Sequence, residues 1–299
     1  MMLFQRSLPL LQSQLRSVLI RATCLGVLLT CVACSSDTAP SSSADSSAPA
    51  AADTDVVSEP DPTSEEASIP EEASSEETAV TEEAVDRSGQ VLRHAVFFAF
   101  KDESTEEDVQ GVVDAFRALP SKIPEIIDFE WGVNNSPEGL DDGFTHCFLL
   151  TFKDEKGREV YLPHPDHKAF GDVLRPHMKE KMVFVIDYWG TPEESPLEGP
   201  LRHAVFFKFK DDAAAEDVQK VEEAFAVLPS KIDTIKAFEW GTNNSPERHS
   251  HDFTHCFMVT FADDAGRATY LPHEDHQAFV DVLKPHLDKV RVLDFFATE

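Results

Sequence analysis

The sequence predicts an α+β protein built from two similar β-α-β-β-α-β domains in tandem, which pair sheet to sheet as one intramolecular barrel. The first observation is an internal repeat. Residues 92–178 recur 109 positions later, with 55 identical residues among the 88 aligned positions from Val91 to Met178. This repeat is too long for a solenoid unit, and each copy is long enough to form a small domain with its own core. The second observation is the order of strand-like and helix-like segments within each copy.

Each copy opens with a predicted strand and a predicted helix. In the first copy, Val91–Phe100 is almost continuously apolar, which is typical of a strand buried on both faces. Ser104-Thr-Glu-Glu107 has the form of a capping box that starts a helix, and Pro120 and Pro124 end that helix. The helix is expected to bury one face, formed by apolar residues at helical spacing: Val109, Val112, Val113, Phe116 and Leu119.

The rest of the copy supplies three further strands and a second helix. Strands are predicted at Ile126–Val133 and Phe144–Phe152, separated by a turn-rich loop that begins at Asn134. A short helical stretch through Tyr161, a helix from about Asp166 to Lys181 and a last strand over Met182–Trp189 complete the copy. This order is the ferredoxin-like plan, in which four strands form one sheet and both helices cover one of its faces.

The uncovered face of each sheet predicts the pairing of the two copies. Along the first strand Ala95, Phe97 and Ala99 alternate with the residues that face the helices, so the bare face is apolar. A bare apolar face needs a partner, and the second copy supplies one within the same chain. We therefore predict domains at 91–190 and 201–299, with 191–200 as a linker that can reach roughly 33–36 Å when extended.

The segment before the repeat has two parts. Residues 1–34 contain three bases, no acid and an apolar run too short to span a membrane, which is typical of a signal peptide. The run ends in Cys31-Val-Ala-Cys34 and resembles a bacterial lipoprotein signal, with Cys34 as the lipidated residue. An ordinary cleaved secretory signal is the alternative. The resemblance implies an extracytoplasmic protein anchored by lipid to the cell membrane or the outer membrane.

Composition describes the tether and limits the partners. Residues 35–90 hold fifteen acids, one base and no Phe, Tyr, Trp or Leu, so we expect a disordered acidic tether. The remaining 209 residues carry a net charge of −18. That charge argues against nucleic acid as a partner and against docking on anionic lipid, which leaves the lipid anchor as the membrane contact.

A family resemblance covers both predicted domains and none of the first 90 residues. The chain resembles the stress-responsive A/B barrel (Dabb) family, a group within the dimeric α+β barrels, and the resemblance implies the same sheet-to-sheet pairing. The second copy repeats the landmarks and ends them with Asp294-Phe. The landmarks in the first copy are Arg93-His94-x-Val-x-Phe-x-Phe, Pro120-x-Lys-Ile, Asn135-x-Pro, Phe144-Thr-His146, Tyr161-x-x-His-x-x-His167-x-x-Phe170 and Asp187-Tyr.

The resemblance also implies candidate site residues. The family includes a plant polyketide cyclase that closes a ring by aldol condensation. Its acid–base pair maps onto His167 and Tyr161, and its pocket partners map onto His94 and His146. The second copy offers the matching set at His276, Tyr270, His203 and His255. The resemblance thus makes a lyase or cyclase one possible function.

Periodicity places the same histidines on apolar faces. His94 shares a strand face with Val96 and Phe98, and His146 occupies a similar face of the third strand. If these faces converge with His167, each copy has one apolar pocket lined by imidazoles and a phenol. Histidines desolvated in this way are expected to stay neutral. The alternative is that they only cap strands and helices as satisfied polar groups.

Two functions therefore remain open for the tandem. One is the binding of a small apolar or aromatic molecule in a pocket lined by histidine and tyrosine, or protection under stress. The other is a lyase or cyclase that uses the histidine–tyrosine pairs as acid and base. No cofactor and no metal site are predicted, because His164-x-x-His167 lacks Cys or acid partners at ligand spacing. Cys147 and Cys256 are expected to be buried strand residues, and His249 and His251 to face solvent.

Overall fold

The computed structural model describes residues 86–192 and 197–298. The predicted signal peptide, Cys34, nearly all of the predicted tether and part of the 191–200 linker lie outside the described residues. Among the described residues, no helix is both long enough and apolar enough to cross a bilayer.

The two halves contain the same elements in the same order. In the first half these are β1 (Val91–Phe100), α1 (Glu106–Arg117), β2 (Ile126–Val133), β3 (His146–Phe152), α2 (Glu155–Tyr161), α3 (Pro165–Leu174) and β4 (Met178–Gly190). In the second half they are β5 (Leu201–Phe209), α4 (Ala215–Ala226), β6 (Ile235–Thr242), β7 (His255–Phe261), α5 (Asp264–Tyr270), α6 (Glu274–Leu283) and β8 (Leu287–Phe296). A short 3-10 turn at Leu228–Ser230 follows α4.

Each half forms one antiparallel four-stranded sheet. The strand orders are β2-β3-β1-β4 and β6-β7-β5-β8, so the first strand of each half is central. This is the predicted ferredoxin-like topology, and it is confirmed. The register sets His94 of β1 opposite Leu150 on β3 and opposite Asp187 on β4.

Several predicted boundaries were wrong, by one to seven residues. The capping box of α1 uses Thr105 and Asp108, one position later than predicted, because the Thr105 side chain accepts a bond from the Asp108 N–H. The strand predicted from Phe144 begins only at His146. The last helix ends at Leu174 instead of Lys181, since Pro176 cannot continue it, and β4 begins at Met178.

The two sheets pack against each other through their bare faces, as predicted from the alternation on β1. One buried cluster joins residues of both sheets and includes no residue from the described helices. At its centre the rings of Phe97 and Phe206 lie 5.2 Å apart in an edge-to-face arrangement. Cys147 and Cys256 are buried in this cluster as free thiols. The apolar faces that neither half could leave in water are therefore buried against each other.

Polar contacts at the sheet edges join the halves in a reciprocal way. The backbones of Trp131 and Thr298 exchange two hydrogen bonds of 2.9 Å, which tie β2 to the end of the chain beyond β8. Glu130 accepts from the buried Arg202 at 2.6 Å, and Arg93 makes the equivalent pair with Glu239 at 3.0 Å. Each half therefore supplies a carboxylate for the buried arginine of the other.

Candidate active site and ligand cavity

The first domain holds a cavity of about 610 Å³ on the helix-covered face of its sheet. The polar groups on its wall include His94, Tyr161 and His167, together with Glu247 from the second domain. The remaining wall is mainly apolar and includes Val96, Phe116, Phe170, Leu174, Met178, Val183 and Val185. The cavity therefore combines an apolar lining with a few converging polar groups, which is typical of a small-molecule site.

His94 is held in place by a buried carboxylate. Its Nδ1 lies 2.6 Å from Oδ1 of Asp187, the residue directly opposite on β4. The other oxygen of Asp187 accepts a bond of 2.8 Å from Arg158 of α2. Because the carboxylate engages Nδ1, the imidazole orientation is set and Nε2 is turned toward Glu247 on the cavity wall, 3.8 Å away.

The charges of this network favour a cationic His94. Burial alone would lower the pKa of His94, but the charge and the hydrogen bond of Asp187 outweigh burial and raise it above its ordinary value. Burial would raise the pKa of Asp187, yet His94 and Arg158 together lower it. The pKa of His94 is therefore shifted in the direction opposite to that expected for a desolvated histidine, because Asp187 supplies a negative charge and a hydrogen bond to its ring.

Tyr161 and His167 form the second polar group in the cavity. Their rings stack with centroids 4.1 Å apart, and Tyr161 lies 5.5 Å from the ring of His94. Burial raises the pKa of Tyr161 well above its ordinary value, so its hydroxyl stays protonated. Burial lowers the pKa of His167, so this histidine is neutral. Its Nδ1 lies 3.1 Å from the carbonyl oxygen of Leu162, an arrangement in which Nδ1 donates and Nε2 is left as an acceptor.

His146 does not lie on this cavity, contrary to the sequence-based expectation. It pairs with Phe98 at the far end of β1, four residues along the strand from His94, which is roughly 13 Å. There its ring packs edge-on against Phe100 at 4.6 Å, and burial lowers its pKa to about 4. Its counterpart His255 also lies at the far strand end, with Nε2 3.0 Å from Glu222. Facing the same side of a sheet was not enough to bring the imidazoles together.

His164, by contrast, has the structural role that the alternative interpretation predicted. It is the N-cap residue of α3, and its Nδ1 accepts a bond of 3.2 Å from the backbone N–H of Asp166. His273 caps α6 in the same way. Within 86–192 and 197–298, no group of three or more His, Cys, Asp or Glu side chains is arranged to hold a metal ion.

Comparison with known proteins agrees with this architecture. The stress responsive A/B barrel domain, abbreviated Dabb, matches residues 92–189 and again residues 201–297. The chain belongs to this family. The resemblance inferred from the sequence landmarks is thereby confirmed, and each half of the tandem is one Dabb domain.

Single-domain Dabb relatives align with one domain at a time. The stress-response A/B barrel domain-containing protein HS1 of Arabidopsis thaliana is 34% identical over 101 residues, which are 34% of this chain and 93% of the relative. Olivetolic acid cyclase of Cannabis sativa is 31% identical over 103 residues, 34% of this chain and 98% of the cyclase. The crystal structure of an anthrone oxidase-like protein covers 72% of this chain at 10% identity with a TM-score of 0.51, a likeness of fold alone.

The second Dabb domain repeats the network of the first. His203 Nδ1 lies 2.7 Å from Asp294, which also accepts a bond of 2.7 Å from Arg267. The ring of Tyr270 lies 5.6 Å from that of His203 and 4.3 Å from that of His276. The pKa shifts of His203 and Asp294 have the same directions and the same main causes as in the first domain.

Each Dabb site is completed by a loop of the other domain. Asn244 accepts a bond of 2.9 Å from Arg158 through its side-chain oxygen, and its backbone N–H donates to the carbonyl oxygen of Asp187. The same loop carries Glu247 to the cavity of the first domain. Asn135 makes the equivalent contact with Arg267 at 2.7 Å in the second domain. Neither site is therefore complete within one domain.

Glu247 ends in a buried oxygen that has no hydrogen-bond partner. Its Oε2 lies 3.8 Å from Nε2 of His94, which is too long for a hydrogen bond. A buried acceptor without a donor costs free energy, so this oxygen is an unpaired polar group on the cavity wall beside His94. The equivalent Glu138 Oε1 in the second domain is also buried and unpartnered.

Sequence reasoning missed the residues that hold the site together. Asp187 was noted as a family landmark, and Arg158 and Glu247 were not singled out at all. A signal was present in the loops, because Asn-Asn-Ser-Pro-Glu is identical in both copies at 134–138 and 243–247. Loops accept changes more readily than cores do, so an identical loop is a better indication of function than an identical core strand.

Proposed function

We propose that the first-domain cavity binds a small molecule with an apolar or aromatic body and an oxygen that accepts a hydrogen bond. The observation that carries this proposal is the fixed orientation of His94, whose Nδ1 is engaged by Asp187 while Nε2 is turned to the cavity wall. A volume of about 610 Å³ suits a small organic ligand. The mainly apolar wall binds the body, and the His94 cation binds the oxygen with a charge-assisted hydrogen bond.

Acid–base catalysis in the same cavity is the second candidate. It is favoured by the opposite protonation preferences of two stacked groups, since Tyr161 keeps its proton and His167 is a neutral acceptor. The name of the relative olivetolic acid cyclase points to the same class of chemistry. In this mechanism His167 Nε2 removes a proton from the carbon next to the ligand carbonyl. The electrons move onto the carbonyl oxygen, where His94 stabilises the negative charge and Tyr161 can donate a proton.

A pair of matched probes tests the binding proposal. Hexanophenone carries an aromatic ring, an alkyl tail and a carbonyl oxygen, and hexylbenzene lacks only the carbonyl. Titration calorimetry is expected to show saturable binding of hexanophenone, weakened about tenfold or more by His94→Gln, because a hydrogen bond to a charged group contributes about 1.5–3 kcal/mol. His146→Gln is the matched control, since His146 lies outside the cavity. Equal losses in both variants, or no saturable binding, would contradict the proposal.

A second measurement separates binding from catalysis. Exchange of the protons next to the carbonyl of hexanophenone for deuterium can be followed by NMR in heavy water. If His167 is a base, the wild-type protein accelerates this exchange and His167→Gln abolishes it while hexanophenone still binds. If the wild-type protein binds hexanophenone without accelerating exchange, the acid–base candidate is wrong and the binding function stands.

We also propose that the chain is exported and anchored by a lipid on Cys34. The support comes from the basic, acid-free start of the sequence and from the Cys31-Val-Ala-Cys34 end of its apolar run. Expressed in a bacterium that processes lipoproteins, the full chain is expected in the membrane fraction with a mature N-terminus at an acylated Cys34. Cys34→Ser is expected to abolish acylation, and Cys31→Ser is the matched control. A mature N-terminus elsewhere in the mass spectrum would refute the anchor.

A further inference from the structure

The two Dabb sites share their polar network but differ along the helix that forms one wall. Gly171 of α3 lines the first cavity, and the equivalent residue of α6 is Val280. His249, which the second domain contributes to the same cavity wall, corresponds to Leu140 in the first domain. His94, Tyr161 and His167 have identical counterparts, so the two sites differ in shape while keeping these polar groups.

Gly171 leaves space that a side chain would fill. A Cβ built on Gly171 meets only the end of the Arg175 side chain, at 3.0 Å, besides the helix itself. Arg175 is exposed and flexible at that end, so it can move aside. The backbone of α3 therefore tolerates a side chain at this position, and its absence keeps the wall of the cavity open.

Val280 occupies the equivalent space in the second domain. Its side chain is partly buried and packs against the core cluster of that domain. The hydroxyl of Tyr270, which corresponds to Tyr161, is shielded from solvent and has no hydrogen-bond partner. The packed Val280 side chain and the shielded Tyr270 hydroxyl both indicate that the second site has less room around its polar groups than the first site.

We propose that the tandem is functionally asymmetric, with Gly171 and Val280 as the residues that decide which site admits a ligand of the size of hexanophenone. The first site takes such a ligand, and the second site is restricted to smaller molecules by the Val280 side chain. This inference rests on the proposed binding function. It adds that one chain binds one ligand of this class, although it contains two copies of the network.

Stoichiometry measured with hexanophenone tests the inference. Calorimetry of the full chain is expected to give one site per chain for the wild-type protein and none for Gly171→Val. Val280→Gly is expected to give two. Because glycine weakens a helix relative to alanine, Val280→Ala is a second variant that opens the site with less risk to α6. Ring proton signals of His167 and His276 report by NMR which site is occupied.

The outcomes distinguish the inference from the function on which it rests. Two sites in the wild-type protein would overturn the asymmetry and leave the binding function intact. One site that persists in Gly171→Val, with His167 signals still shifting, would also overturn it. No saturable binding in any variant would remove the binding function and the inference with it. One site in the wild-type protein, none in Gly171→Val and two in Val280→Gly would support both the binding function and the asymmetry.

Discussion

Replacement of Asp187 by Asn is the most direct test of the buried network. Asp187 is fully buried and accepts from His94 at 2.6 Å and from Arg158 at 2.8 Å. Asparagine has the same shape, but it leaves the buried Arg158 guanidinium without its counter-charge. Removing one partner of a buried ion pair costs about 3–5 kcal/mol. We expect the free energy of unfolding of Asp187→Asn to be lower than that of the wild-type protein by that amount.

The loss should depend on pH in a defined direction. The folded-state pKa of His94 is raised above 6.5, so its contribution is fully present below 6.5 and is lost as pH rises through the raised value. The folded-state pKa of Asp187 is lowered below 3.8, so its contribution is present above 3.8 and is lost as pH falls through the lowered value. The effect of the substitution is therefore largest between these two ordinary values. On the alkaline side it falls only in part, because Arg158 stays charged.

Urea unfolding of both proteins near pH 5 and near pH 9 measures this difference directly. Asp172→Asn is the matched control, since Asp172 pairs with Arg175 at the surface and its side chain is 72% exposed. Surface pairs are worth about 0–1 kcal/mol, so this variant is expected to differ little from the wild type. A loss below about 1 kcal/mol for Asp187→Asn near pH 5 would refute the assignment of a strong buried pair. A loss for Asp187→Asn that is larger near pH 9 than near pH 5 would also refute this assignment.

Two further substitutions, each with a comparison variant, test the packing between the domains. Phe206→Ala in the inter-sheet core should lower the free energy of unfolding by about 3–5 kcal/mol, whereas Phe296→Ala, 38% exposed, should cost far less. Similar urea midpoints for these two variants would contradict the inter-sheet core. Gly132→Ala should destabilise the protein because its Cβ would lie 2.5 Å from the backbone oxygen of Phe296, while Gly111→Ala, with open space around it, should stabilise α1 by about 0.5–1 kcal/mol. Thermal unfolding that ranks the two glycine variants in the reverse order would refute the close approach of β2 to β8.

Local patterns were sufficient to predict the fold. The alternation of Ala95, Phe97 and Ala99 with larger residues identified a bare sheet face, and the internal repeat identified what covers it. Both inferences depend only on the two-residue period of a strand and on the cost of exposed apolar area. Element ends were less predictable: the α3 helix stops at Leu174, although the helix was predicted to reach about Lys181, because Pro176 follows within two residues.

The candidate site was less predictable because it depends on strand register and on contacts between domains. Whether His146 lies beside His94 depends on which residue of β3 faces which residue of β1. Apolar periodicity specifies the buried face of β3, but a shift of two residues leaves that face unchanged. The protonation of His94 depends on Asp187 of the adjacent strand β4, which is 93 residues away in sequence. Glu247 reaches the cavity from the other domain. These contacts join residues that are far apart in sequence, so the residue pattern of one copy does not predict them.

Covalent linkage of the two Dabb domains allows them to differ, which a symmetric dimer does not. In a homodimer both sites and both sides of the interface are identical by symmetry. Here Phe184 of the first sheet corresponds to Arg291 of the second. The guanidinium carbon of Arg291 lies 4.3 Å from the centre of the Phe184 ring. Nη2 of Arg291 lies 2.7 Å from the carboxylate of Asp142. Two copies of the second domain would bring two buried arginines to this core, without the Phe184 ring that contacts Arg291 here. The two interface faces are therefore complementary to each other, and the same freedom lets one site keep glycine at 171 while the other carries valine at 280.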